Sequence, residues 1–292
     1  MRLLVTGGSG FLGGYVLREA ARRGHETVAL ARSMAAARTA AERGAQPIPG
    51  DLDDTGRLHE AFAAARCDAL LNLASLGFGH GPAIVAAAEE ACIGRAVFVS
   101  TTAVTTALAP ATKSVRLAAE RQIRSSGLQW TILRPTMIYG APGDRNLSRL
   151  LALLRRTPLL PVPGGGRHLQ QPVHVEDVAD AILTAAERPA TAGMTYDVAG
   201  PEPLSFADLL RTSARAVGSR TRFIPVPLTP LVRFADSYER FSHHPRIRAE
   251  QLLRLAEDKA FVIDDATRDL RFAPRQFADG IRAEAQAMGL AI

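Results

Sequence analysis

Short apolar segments alternate with amphipathic segments through the first half of the chain. Six apolar segments have the length of buried β-strands, at residues 2–7, 26–32, 45–52, 68–75, 95–102 and 128–135. The stretches between them place apolar side chains at helical spacing, as in the segment 11–23. Apolar strands that alternate with helices indicate a parallel sheet with helices on both faces. The pattern therefore predicts an α/β fold with a doubly wound parallel sheet.

The composition narrows the class of protein. The formal net charge of +6 could suit a nucleic-acid partner, but Lys113 and Lys259 are the only lysines, and the arginines are spread along predicted helices without interleaved aromatics. No apolar run is long enough to cross a bilayer, so we expect a cytoplasmic protein without a membrane anchor. Cys67 and Cys92 lack metal-ligand spacing, so we expect reduced core thiols and no metal site. A small molecule is the expected partner.

A glycine triad joins the first strand to the first helix. The segment "TGGSGFLGG" contains Gly7, Gly10 and Gly13, with Phe11 and Leu12 at the helix start. Such a turn lets the backbone approach a pyrophosphate, and the helix N-terminus supplies free N–H groups and a positive dipole end. Because the motif lies between a predicted strand and a predicted helix, we interpret it as a dinucleotide site of a Rossmann-like fold.

The second strand indicates which nicotinamide dinucleotide is bound. A protein that prefers NAD places an acidic residue at the end of this strand, where it accepts hydrogen bonds from the ribose 2′-hydroxyl. Here Ala31 occupies that position and Arg32 follows it. Because arginine is permanently charged and offers a planar set of donors, Arg32 suits a 2′-phosphate. We therefore expect NADPH as the cofactor.

The pattern changes after residue 135, where loop-rich sequence containing many Pro and Gly residues begins. Helical patterns at 174–188 and 205–218 flank a strand pattern at 194–200, and the tail is mainly helical. We expect residues 1–140 plus about 173–200 to form the NADP-binding core. Residues of about 141–172 and 201–292 would form a small, mainly helical substrate-binding region, in which residues 228–248 contribute to substrate binding.

Several segments resemble, in order, the extended and atypical branch of the short-chain dehydrogenase/reductase superfamily. They are "GDLDD", "LLNLAS", "RPTMIYG" and "PVHVEDVADAI", and with the glycine triad the resemblance spans about residues 2 to 218. The resemblance implies further cofactor-binding residues, namely Asp51 and Leu52 at the adenine, Asn72 and Ala74 in the fourth-strand motif, Ser100, and Pro135 near the nicotinamide. In the last segment, it implies structural roles for His174 and Asp177.

The family's catalytic residues are a hydroxyl residue after strand five and a Tyr-x-x-x-Lys pair on the next helix. Thr102 lies where the hydroxyl residue is expected. The family's Lys is commonly followed four residues later by Glu, and aligning that Glu with Glu120 places Arg116 at the Lys position and Thr112 at the Tyr position. A rival register takes Lys113 as the Lys, which places Ala109 at the Tyr position. Neither register contains the tyrosine.

This substitution leaves the proton donor open. An aliphatic hydroxyl is a much weaker acid than a phenol, and a guanidinium cannot act as an acid near neutral pH. Either hydride transfer continues with a proton from water, a substrate phenol or another side chain, or the protein has lost catalysis and keeps the nucleotide as a structural ligand. Other candidate acids are His80, His168, Tyr238, His243 and His244.

Atypical family members without the Tyr and Lys include ketoreductases of aromatic polyketide antibiotic biosynthesis, such as angucyclinone ketoreductases. The resemblance therefore implies an NADPH-dependent reductase that transfers hydride to a carbonyl of a bulky, aromatic natural product. A first alternative is a non-catalytic NADPH-binding protein that resembles the accessory nucleotide-binding subunit of respiratory complex I. A nucleotide-sugar epimerase or dehydratase ranks lower, because those reactions rely on the same tyrosine.

Overall fold

The computed structural model describes residues 1–108, 111–140, 143–241 and 249–291. Its strands are β1 Arg2–Thr6, β2 Glu26–Ala31, β3 Gln46–Pro49, β4 Ala69–Asn72, β5 Arg95–Val99, β6 Gln129–Pro135, β7 Ile138–Tyr139, β8 Leu159–Pro163, β9 Leu169–Gln170, β10 Val173–His174, β11 Met194–Val198, β12 Leu204–Ser205 and β13 Arg222–Val226. Its α-helices are α1 Phe11–Arg22, α2 Met34–Glu42, α3 Thr55–Ala65, α4 Gly81–Glu90, α5 Ala111–Ser125, α6 Leu147–Leu154, α7 Val175–Glu187, α8 Phe206–Ala216, α9 Leu228–Phe241, α10 Ala249–Leu255, α11 Asp264–Leu270 and α12 Phe277–Ala287.

The central element is a seven-stranded parallel sheet in the order β11-β6-β5-β4-β1-β2-β3. Helices α1 and α7 pack together, and α4 packs between α3 and α5. Every residue of β4 and β5 is buried, as expected for parallel strands whose two faces are both covered. The predicted Rossmann-like, doubly wound α/β fold is therefore confirmed. Because the strands are parallel, the loops after β1, β2, β4, β5 and β6 all leave from the carboxyl edge of the sheet.

The chain divides into two compact units. The first comprises residues 1–136, 175–198 and 262–273, and the second comprises 137–174, 199–261 and 274–292. The segment 262–273, which the sequence pattern assigned to the substrate-binding region, lies instead in the first unit. There α11 packs against β11 and α7, and the Tyr196 hydroxyl donates to the Asp269 carboxylate at 3.1 Å. A short helix carries no sequence signal for such a distant contact.

The second unit has its own apolar core, built around Tyr139. The Tyr139 ring is fully buried and packs edge-on against His174 at 5.3 Å and Phe277 at 5.4 Å. At Gly280, a Cβ atom would lie 2.1 Å from the Tyr139 hydroxyl, so only glycine fits there. One turn further along α12, burial and then the nearby Asp144 carboxylate raise the pKa of Glu284 to about 8, which favours the neutral carboxyl at neutral pH.

The described part of the chain contains no helix that is both long and apolar enough to span a membrane. It also contains no cluster of three His, Cys, Asp or Glu side chains that could hold a metal ion. The two cysteines are free thiols. Cys67 is partly buried against the apolar core, whereas Cys92 is exposed, so the expectation of a core thiol is wrong for Cys92.

Candidate nucleotide-binding and active site

The glycine-rich turn after β1 has the geometry that the sequence predicted. Gly7 adopts a left-handed backbone conformation with φ of +72°, which other residues rarely adopt. At Gly13, a Cβ atom would lie 2.4 Å from the Gly7 carbonyl oxygen and 2.6 Å from that of Gly8. The first turn of α1 therefore packs directly on the loop, and a side chain at Gly13 would separate the two.

The start of α1 is suited to an anion. Gly10 is the N-cap residue, its own N–H donates to the Gly7 carbonyl at 3.0 Å, and no side chain among the described residues caps the helix. The first turn contains no acidic residue. The N–H groups at Phe11 and Leu12 precede the first intrahelical bonds, so they can bind a pyrophosphate at the positive end of the helix dipole. The residues present therefore fit a dinucleotide cofactor.

Asn72 lies beneath this turn. It is fully buried, and its amide oxygen accepts from the Thr6 hydroxyl at 2.6 Å. Its amide nitrogen donates to the Ala74 carbonyl at 3.2 Å. A Cβ atom at Gly7 would lie 3.1 Å from the Ala74 nitrogen, so the loop after β4 touches the glycine turn. Asn72 therefore links the end of β1, which leads into the glycine turn, to the loop after β4.

A cleft of about 410 Å³ lies beside the end of β2. Ala31, Arg32 and Asp51 line it, as does Arg57 on the first turn of α3. Arg32 is exposed, and Arg57 lies 3.4 Å from Asp54 in a largely exposed ion pair. Arg57 was not among the predicted cofactor-binding residues, although its place just after the "GDLDD" segment puts it near the carboxyl edge. Leu52, in contrast, packs partly into the apolar core.

Glu120 anchors α5 to the sheet. Its carboxylate is fully buried and accepts hydrogen bonds from Ser100 at 2.7 Å, Arg124 at 2.9 Å and Arg134 Nε at 3.0 Å. Burial alone would raise the pKa of Glu120, but the hydrogen bonds from Arg134 and Ser100 outweigh it and lower the pKa. The Ser100 hydroxyl thus belongs to a buried anchor that joins α5 to the ends of β5 and β6.

With this anchor in place, Thr112 and Arg116 lie on one face of α5. Arg116 Nη1 donates to the Thr112 hydroxyl at 2.7 Å. A Cβ atom at Gly77 would lie 3.0 Å from Arg116 Cζ, so the glycine makes room for the guanidinium. Helix α5 packs against the 3₁₀ turns at Leu76–Phe78 and Thr102–Thr105, which follow β4 and β5. The pair therefore lies near the carboxyl edge of the sheet.

The hydroxyl residue after strand five is also near this edge. Thr102 is buried and its hydroxyl donates to the Pro135 carbonyl at 3.4 Å, which joins the loops after β5 and β6. In the rival register, Lys113 Nζ donates to the Thr106 carbonyl and so turns toward the loop after β5. Ala109, which that register places at the Tyr position, lies outside the described residues.

The other candidate acids are dispersed. His80 Nε2 lies 3.8 Å from the Asp53 carboxylate in the first unit. In the second unit, His168 Nδ1 lies 3.3 Å from the Asp258 carboxylate, and Tyr238 is an exposed residue of α9. Residues 242–248, with His243, His244 and the end of the segment expected to contribute to substrate binding, lie outside the described residues.

The chain is similar to several known proteins. A model of the NAD(P)H-binding family matches residues 7–189. The 4-hydroxy-2-methyl-3-oxo-4-farnesyl-3,4-dihydroquinoline-1-oxide ketoreductase of Stigmatella aurantiaca is 31% identical over 259 residues, which cover 78% of this chain and 76% of that protein. The 2-alkyl-3-oxoalkanoate reductase of Stenotrophomonas maltophilia is 27% identical over 97% of this chain and 98% of that protein.

A solved structure with the same fold is the UDP-glucose 4-epimerase of Thermus thermophilus in complex with NAD. It has a TM-score of 0.74 and 20% identity over 100% of both chains, a likeness that shows the fold alone. The family match is more informative, because it covers more than half of the chain and begins at Gly7, the first glycine of the turn. The protein therefore belongs to the NAD(P)H-binding family, and its cofactor is a nicotinamide dinucleotide.

Proposed function

We propose that the protein is an NADPH-dependent ketoreductase, an atypical short-chain dehydrogenase/reductase that reduces a carbonyl of a bulky, apolar natural product of aromatic polyketide type. One observation carries the proposal. Three features lie beside the carboxyl edge of one parallel sheet, namely the glycine-rich turn, the Thr102 loop and the Thr112–Arg116 pair. Ligands of such sheets bind at this edge. The alcohol product needs a hydride on carbon, which the cofactor supplies when bound, and a proton on oxygen.

The side chains of this chain would manage the carbonyl oxygen. In this alignment Thr112 stands at the position of the family's acid, and Arg116 donates to its hydroxyl oxygen. The Thr112 hydroxyl donates to no other described residue, so its proton can point toward a substrate oxygen. The nearby guanidinium charge favours the negative charge that develops on that oxygen. Since a threonine hydroxyl is a weak acid, the proton itself comes from water through Thr112 or from a phenol of the substrate.

The names of the similar proteins support the substrate class. One is named as a ketoreductase of a farnesylated dihydroquinoline that carries a 3-oxo group, and the other as a reductase of 2-alkyl-3-oxoalkanoates. Both names combine a ketone with an apolar substituent. The resemblance to the angucyclinone ketoreductase of the simocyclinone pathway extends this proposal to a polycyclic aromatic ketone.

The preference for NADPH is tested at Arg32. Replacement by Ala is expected to weaken NADPH binding about 10- to 100-fold, because a charge-assisted contact to the 2′-phosphate is lost. NADH binding should change less than about twofold, since NADH has no 2′-phosphate. Titration of both nucleotides by calorimetry measures the two constants, and Ala31→Asp should shift the preference toward NADH. Equal losses for the two nucleotides would contradict the role of Arg32.

The role of Thr112 is tested by turnover on a panel of polycyclic aromatic ketones, followed by NADPH absorbance and product mass. Thr112→Ala is expected to lower kcat about 100-fold, the lower end of the range for positioned proton transfer, and to leave the KM for NADPH unchanged. Thr112→Ser keeps the hydroxyl and should retain most of the activity. Undiminished turnover in Thr112→Ala would show that the hydroxyl is dispensable.

A further inference from the structure

Arg43, at the end of α2, contacts the glycine-rich turn although the two are far apart in sequence. Its Nη1 donates to the Gly8 carbonyl at 2.7 Å and to the Gly10 carbonyl at 2.8 Å. Both acceptors belong to the turn that begins α1. One guanidinium nitrogen thus joins two carbonyls of the turn, of which Gly10 also accepts from the Gly14 N–H at 3.2 Å.

Gly14 explains how the guanidinium reaches this position. The motif of three glycines ends at Gly13, so dinucleotide binding alone does not account for a fourth glycine inside the helix. A Cβ atom at Gly14 would lie 2.9 Å from Arg43 Cζ and 3.1 Å from Arg43 Nε. Glycine is unfavourable in a helix compared with alanine, so its use here requires another reason. The space taken by Arg43 supplies that reason.

We propose that Arg43 and Gly14 form a clamp that holds the glycine-rich turn in its pyrophosphate-binding conformation. The clamp draws the Gly8 and Gly10 carbonyls toward α2, which fixes the orientation of the peptide groups on either side of them. The N–H groups at the start of α1 are then preorganised for the phosphate oxygens, and preorganisation increases affinity. The guanidinium also adds a full positive charge beside a site for an anionic ligand.

Arg43 is thus a positioning residue that acts through the backbone, which distinguishes it from Arg32. The inference rests on dinucleotide binding as part of the proposed function, but it does not require that any ketone be turned over. Loss of the clamp should weaken ligands that contain a pyrophosphate and spare ligands that lack one. NADPH and adenosine 2′-monophosphate make this comparison, because both carry the 2′-phosphate and only NADPH has the pyrophosphate.

The experiment is a double-mutant cycle, with binding measured by calorimetry and folding checked by thermal denaturation. Arg43→Met should weaken NADPH binding about 10- to 100-fold and change adenosine 2′-monophosphate binding less than about twofold. Gly14→Ala should reproduce this effect with the arginine still present, and Arg43→Lys should recover part of it. In the Arg43→Met background, Gly14→Ala should cost no further affinity, because the space is no longer needed.

Arg38→Met is the matched control, since it removes the same charge from an exposed position of α2, and it should leave both affinities within about twofold. The clamp would be overturned if Arg43→Met bound NADPH within twofold of the wild-type affinity. It would also be overturned if the double variant lost as much NADPH affinity as the product of the two single losses, because the two residues would then act independently. Equal losses for both ligands would also overturn it. A wild-type protein that binds neither NADPH nor NADH would instead refute the cofactor assignment, and the clamp with it.

Discussion

Gly13→Ala is expected to abolish dinucleotide binding, with a loss of at least about 100-fold in affinity for NADPH. The added methyl would lie 2.4 Å from the Gly7 carbonyl oxygen and 2.6 Å from that of Gly8. Both neighbours are backbone atoms of the turn, so the clash cannot be relieved by rotating a side chain. Either the turn or the first turn of α1 has to move, and the N–H groups leave the positions suited to a pyrophosphate.

The control for this variant is Gly56→Ala on α3. There the nearest atom to an added Cβ is the Asp54 carboxylate at 3.6 Å, an ordinary contact, and alanine is the better helix former. Gly56→Ala should therefore leave NADPH affinity unchanged and keep or raise the melting temperature. Nucleotide titration and thermal denaturation of both variants provide the comparison. Wild-type affinity in Gly13→Ala would contradict the assignment of the turn as the pyrophosphate site.

Glu120→Ala is expected to lower the free energy of unfolding by about 3–5 kcal/mol, the usual cost of breaking a buried ion pair by removing one partner. The change deprives Arg134, largely buried itself, of its carboxylate and leaves the Ser100 hydroxyl without its acceptor. Helix α5 also loses its anchor to the sheet. We therefore expect kcat to fall as well, because Thr112 and Arg116 depend on the same helix.

The pH dependence gives an independent check on Glu120. Its pKa in the folded protein is below the ordinary value of 4.5, so it contributes stability above that pH, and the contribution is lost as the pH falls from 4.5 toward the folded pKa. Glu120→Gln should remove this part of the acid dependence. Glu42→Gln, at an exposed position, should change stability by less than about 0.5 kcal/mol at any pH. Denaturant titrations from pH 3 to 7 measure the difference, and wild-type acid dependence in Glu120→Gln would contradict this role.

Local pattern was sufficient to predict most of the first unit. The sheet strands are short apolar runs, and the glycine triad lies where a strand meets a helix, so neighbouring residues carry both signals. Glu120 was the natural reference for aligning α5, because it is the single acidic residue of that helix, and the structure places it in the buried anchor. That alignment pairs Thr112 with Arg116, which are hydrogen-bonded in the structure, and their catalytic roles stay a prediction.

Contacts between distant segments were not predictable. Arg43 is one of many arginines in the chain, and only the fold shows that it reaches the glycine turn. In the sequence, Arg57 has no feature that distinguishes it from other exposed helix residues. Only the structure shows that it lines the same cleft as the end of β2. Asn72 was expected to line the cofactor. Its full burial could not be predicted from the sequence, because it depends on the packing of β1 against β4. The assignment of 262–273 to the first unit likewise depends on a tertiary contact.

The most direct test of the proposed function is the transfer of a label from the cofactor to a ketone. The protein would be incubated with a polycyclic aromatic ketone and with NADPH that carries deuterium at the transferable C4 position. The mass of the alcohol product would then be measured by mass spectrometry. A ketoreductase adds one deuterium to the carbinol carbon of each product molecule. In the control, unlabelled NADPH is used in heavy water, and the hydroxyl deuterium of the product is then exchanged back in ordinary water. The carbinol carbon of this control product should carry no deuterium. Tight NADPH binding with no labelled alcohol from any ketone of the panel would contradict the account and favour a non-catalytic nucleotide-binding protein.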